Sequence, residues 1–130
     1  MDRFAIIVLV LAGLGFLAFG AWLLVDPTGG LARVGIGSLN TGGTIELRAF
    51  YGGLEVGLGL VLLACAWHPE WRVPGLWLVL LANLAIGLAR VYGIATTGVF
   101  NAFFGWALVW EFGFPLLAAL ALLSNQRASP

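Results

Sequence analysis

Four apolar stretches, each about 20 residues or more, run through this chain of 130 residues and leave it little else to be made of. Crossing about 30 Å of hydrocarbon takes about 20 mostly apolar residues in a helix. The first stretch, Phe4–Val25, holds no charged residue, and the second, Ile45–Trp67, carries Glu46, Arg48 and Glu55. The third, Pro74–Ala95, contains Asn83 and Arg90, and the fourth, Phe100–Leu123, contains Asn101 and Glu111. Backbone groups in lipid must be satisfied within the chain, so each stretch reads as a helix. The expected fold is all-α: a polytopic membrane protein of one domain (1–130), a four-transmembrane-helix bundle with spans at 4–25, 45–67, 74–95 and 100–123.

Composition excludes most alternatives. The chain is 62% apolar and 9% charged, against about 45–50% and 25% in soluble domains. Six Arg balance six acids, with no Lys and no run of like charge. Nucleic acid and acidic substrates are therefore not expected partners. Cys65 is the single cysteine, so no intrachain disulfide reports the compartment.

The connections are short except the first, Asp26–Thr44. Asp26-Pro27 fits an N-cap and first helical position, and Leu31, Val34, Ile36 and Leu39 are too apolar for a free loop. A Gly-rich loop or a short surface helix, tucked over the bundle mouth or lying on the membrane, is expected. Its glycines match no dinucleotide or phosphate-binding pattern. Ala18 and Gly20 would satisfy a signal-cleavage rule, but the apolar run continues past them to Val25, and the first stretch reads as a retained span. With the N-terminus in the cytoplasm, Arg3, Arg72 and Arg127 fall inside and Arg33 outside, which favours cytoplasmic termini.

Ionisable residues within spans carry the functional information. A charge at the bilayer centre costs about 2.5–3.5 kcal/mol, against a gain of about 0.3–0.6 for each Leu, Ile, Phe or Val. The second span is thus marginal and must turn its charges toward other helices or a wet cavity. At about 100° per residue, Arg48, Tyr51, Gly52, Glu55 and Gly59 share one stripe. Gly53 and Gly57 form a G-x-x-x-G pair on another face, open to close approach by a helix. In the third span Asn83, Gly87 and Arg90 repeat the spacing of Arg48, Gly52 and Glu55. Glu55, Asn83 and Glu111 lie near mid-span, while Arg48, Arg90 and Asn101 are displaced toward the side of the first and third loops. Two polar layers are expected, carboxylate and amide at mid-depth with guanidinium above. Pro115 lacks an N–H for the Glu111 carbonyl, so a kink is expected in the fourth span.

The run Glu46-Leu47-Arg48-Ala49-Phe50-Tyr51-Gly52-Gly53-Leu54-Glu55, followed by Gly57 and Gly59, resembles the signature of a bacterial family of small four-helix membrane proteins known only as a domain of unknown function. The resemblance extends to the Pro-containing, Gly-rich loop and the late Arg of the third span. It implies four spans and a bacterial inner membrane, and it brings no activity with it.

Three functions compete. A binding or transport protein would set the polar head of a small amphiphile or lipid, or an exchanging proton, against Arg48, Tyr51, Glu55, Asn83, Arg90 and Glu111. An accessory or scaffolding subunit of a larger membrane complex, or a homo-oligomer, would use the charges as glue, with Gly52, Gly53, Gly57, Gly59 and Gly87 for helix packing. An enzyme is the least supported. One His (His68, in a turn) and one Cys make no zinc or dithiol site, so no metal site is expected. Glu55 and Glu111 could act as acid and base, but no substrate or cofactor is indicated.

Overall fold

The computed structural model describes residues 2–37 and 39–127. Helix α1 (Asp2–Val25) leads through the short α2 (Pro27–Ala32) to α3 (Thr41–Leu47). A π-helical turn (Arg48–Gly53) joins α3 to α4 (Leu54–Trp67) in one continuous rod. A 3₁₀ turn (Pro69–Trp71) then opens α5 (Arg72–Thr97), and α6 (Ala102–Arg127) completes an all-α fold. Four helices are long and apolar enough to cross a membrane: Arg3–Val25, Thr41–Trp67, Pro69–Thr97 and Ala102–Asn125.

Caps decide where these helices begin. Asp26 Oδ1 accepts from the Gly29 backbone N–H at 2.9 Å, with Pro27 in the first turn, so α2 starts where the Asp-Pro pair predicts. Asn40 Oδ1 accepts from Gly43 N–H at 2.7 Å, which starts the second long helix at Thr41 rather than Ile45. Asn101 caps α6 by accepting from Phe104 N–H at 2.9 Å. The expectation that Asn101 belongs to a polar layer inside the fourth span is therefore corrected: it precedes the helix, and its side chain serves the backbone. Gly98 closes α5 with φ +70°, a left-handed conformation that glycine adopts without steric cost.

Two antiparallel pairs make the bundle, α1 against the π-helical turn and α4, and α5 against α6, and α1 also touches α5 and α6. Glycines set the closeness of the first pair. A Cβ on Gly59 would stand 2.7 Å from the Gly13 carbonyl oxygen and the Leu17 nitrogen, and one on Gly20 would stand 2.8 Å from the Gly52 carbonyl oxygen. Gly13 faces Gly59 and Gly20 faces Gly52, so a seven-residue step on one helix meets the same step on its antiparallel partner. This seam lets the backbones approach with no side chain between them.

The tightly packed core occupies one half of the bundle, the half toward His68. It is built from Ala5, Leu9 and Ala12 of α1, Leu62 and Cys65 of α4, Leu76 and Val79 of α5, and Phe114, Ala118 and Ala121 of α6. Outward faces carry large exposed apolar side chains, among them Ile7, Leu60, Leu81, Leu88 and Leu116. Trp67, Trp71 and Trp77 are exposed around the turn between α4 and α5.

Candidate functional site

The opposite half of the bundle, toward α2 and the turn at Gly98, is hollow. A cavity of about 630 Å³ lies among all four long helices. Its walls are aromatic: Phe16, Phe19 and Trp22 come from α1, and Phe103 and Trp110 from α6. Phe19 stacks on Phe103 across the helix boundary, ring centroids 6.5 Å apart. Trp110 lies where a Gly15 side chain would otherwise be, so this one glycine lets the indole rest against the α1 backbone. Leu31, Val34 and Ile36 also line it, so the apolar first loop forms part of the cavity wall rather than a free connection. Arg33 holds that segment to α1 through its guanidinium, 5.8 Å from the Trp22 ring centroid.

The floor of the cavity is polar. Glu111, 5% exposed, receives a fork from Arg90: Nε donates at 3.0 Å to Oε1 and 2.9 Å to Oε2, and Nη2 donates at 2.6 Å to Oε1. Charge-assisted forks of this kind are strong and directional. Phe103 and Phe104 flank the same guanidinium at 5.8 Å and 5.5 Å. The α5–α6 approach that permits the fork depends on Gly87, where a Cβ would lie 3.1 Å from the Glu111 Cβ. Asn83 is buried and donates through Nδ2 to the carbonyl of Val79, one turn back on its own helix, at 2.8 Å. Glu55 also lines the cavity, its Cβ against Gly20 of α1, and has no hydrogen bond or ion pair among the described residues. Tyr51 lines the same space one turn above it.

Five of the six residues expected at a ligand or proton site are thus brought together: Tyr51, Glu55, Asn83, Arg90 and Glu111. Arg48 stands apart, exposed and outside the cavity lining. The expected stripe assumed α-helical geometry, but Arg48 begins the π-helical turn, whose i→i+5 bonding adds a residue to the turn and rotates Arg48 away from Glu55. The guanidinium layer is therefore reduced to Arg90. Of the packing glycines, Gly52, Gly59 and Gly87 sit at helix contacts, whereas Gly53 and Gly57 face open space. Pro115 lies inside α6, which continues through it to Arg127.

Sequence reasoning missed the aromatic walls and the partner glycines on α1, while the first loop's place over the bundle mouth is one of its two expectations. One signal was available for the glycines: the seven-residue spacing of Gly13 and Gly20 mirrors that of Gly52 and Gly59. Aromatics in an apolar span carry no such signal, because lipid-facing and cavity-facing rings look alike in sequence.

Fold and site together define an all-α chain of four long apolar helices around a half-filled core, with an aromatic cavity over an acid-rich floor. The chain belongs to the DUF4345 family, a domain of unknown function, whose family profile matches residues 4–122. No curated protein and no solved structure matches the chain.

Proposed function

We propose that this is a multi-pass protein of a bacterial inner membrane, both termini cytoplasmic, whose interhelical cavity binds a small amphiphile. The observation that carries the reading is the division of the bundle into a dense half and a hollow half. Close packing is the rule for protein interiors, and a space of about 630 Å³ is the size of a ligand site rather than a packing defect. Its aromatic walls suit an apolar body, and Tyr51, Glu55, Asn83 and the Arg90–Glu111 pair suit a polar head. The outward apolar faces would be costly in water and are at home in lipid. Arg3 and Arg72 at one end against Arg33 at the other support the orientation.

Native mass spectrometry of the protein released gently from its own membranes tests this reading, wild type beside Ala107→Trp, which fills the cavity with an indole. A small bound mass present in the wild type and lost in the variant is the expected result. Wild type that persistently carries no small mass, or a mass retained equally by both, overturns it.

One observation favours a second reading, an accessory subunit of a larger membrane complex. Gly53 and Gly57 present a bare G-x-x-x-G face to the outside, where a helix of another chain can pack closely. A stoichiometric polypeptide copurifying with wild type and lost on Gly57→Leu would support it.

A further inference from the structure

We infer that the occupant is a lipophilic organic cation, its charge set against Glu55 and its apolar body against the aromatic walls; this rests on the amphiphile-binding reading above. The argument is an inventory of what the cavity still has to offer. Its ionisable side chains, phenol aside, are two carboxylates and one guanidinium: Glu55, Glu111 and Arg90. Arg90 is already engaged through Nε and Nη2 with Glu111, and rings flank it on α6. An anionic head would compete with Glu111 for the same cation. The Asn83 amide N–H is directed to Val79, which leaves that side chain its carbonyl oxygen, an acceptor. Glu55 is left as a carboxylate without a partner among the described residues.

The walls select the same way. Aromatic faces carry negative potential and attract cations, most strongly where water is excluded. Five rings, from Phe16, Phe19, Trp22, Phe103 and Trp110, line the same cavity as Glu55. An unpaired carboxylate in an apolar cavity is expensive, and a charge there is retained when it meets an opposite one. A permanent or protonated ammonium on a compact hydrophobic body meets both requirements; a fatty carboxylate or a phosphate head meets neither.

The test uses two hydrophobic ions alike in size and shape but opposite in charge, tetraphenylphosphonium and tetraphenylborate. Each is titrated by calorimetry into the full chain in lipid nanodiscs, with empty nanodiscs as the reference. Tetraphenylphosphonium is expected to bind saturably and tetraphenylborate only as it does to empty nanodiscs. Glu55→Gln is expected to weaken the cation about tenfold or more, equal to about 1.4 kcal/mol. Glu70→Gln, in the turn before α5, leaves the affinity unchanged, and Glu55→Asp, which keeps the charge, retains the preference for the cation. Equal binding of both ions, unaltered by Glu55→Gln but lost in Ala107→Trp, overturns the charge assignment and leaves the amphiphile reading standing. Binding of the cation that survives Ala107→Trp removes the cavity from both. No saturable binding of either ion overturns the inference, while the bound mass sought by mass spectrometry decides the amphiphile reading separately.

Discussion

Replacing Gly59 and Gly57 by alanine, one at a time, separates the seam between α1 and α4 from the general chemistry of a helix. The two positions are two residues apart on the same helix, and the substitution adds the same methyl group. At Gly57 the new Cβ enters open space. At Gly59 it would stand 2.7 Å from Gly13 O and Leu17 N and 3.0 Å from Leu17 Cα, all backbone atoms that no rotamer change can move. Optimal separation for such contacts is about 3.5–4.0 Å, so the helices must part by roughly 1 Å locally. A gap of that size forfeits a quarter to a half of the attraction between the surfaces it opens. Overpacking of this kind costs about 1–3 kcal/mol, while helix propensity returns up to about 1 kcal/mol at both positions. Gly59→Ala is therefore expected to be less stable than Gly57→Ala by about 1–3 kcal/mol, with Gly57→Ala at or slightly above wild type. Reversible unfolding in mixed micelles, followed by far-ultraviolet circular dichroism against the fraction of denaturing detergent, measures the difference. Coincident transitions for the two variants would refute the reasoning, because only the seam distinguishes them.

Three further outcomes are expected. Arg90→Met leaves the Glu111 carboxylate buried without its partner and should cost about 3 kcal/mol or more, whereas adding Glu111→Leu should recover most of that loss; a double-mutant cycle of unfolding free energies measures the coupling, and additive losses would contradict it. Asn83→Leu should change stability by less than about 1 kcal/mol, since the amide bonds within its own helix and ties no two helices together; a loss as large as that of Arg90→Met would show otherwise. Asp26→Ala should loosen α2 by about 1 kcal/mol, seen as faster amide hydrogen exchange over residues 29–32, with the long helices unaffected.

The number and approximate limits of the long helices are legible because the length and apolarity that suffice to cross a bilayer are both written locally along the chain. Asp26-Pro27 announced α2 for the same reason: a cap involves only its own next few residues. Asn101 shows where local reading stops. As an amide beside an apolar run it fits either a span interior or a cap, and only its bond to Phe104 N–H distinguishes them.

The polar positions of the site are also legible: charge in an apolar span is costly and marks Glu55, Arg90 and Glu111, while Tyr51 shares the helical stripe of Glu55 and Asn83 lies one i, i+7 step from Arg90. What they do to one another is not. Which carboxylate Arg90 takes depends on α5 and α6 meeting at Gly87, and Glu55 has no ion-pair partner among the described residues, with Arg48 exposed outside the cavity. Sequence fixes a residue's depth along a helix through the rise per residue; its neighbours across the bundle follow from helix rotation and spacing. Here those were decided by the glycine seam that draws α1 onto the π-helical turn and α4, and by the core that fills one half of the bundle and leaves the other to an aromatic cavity.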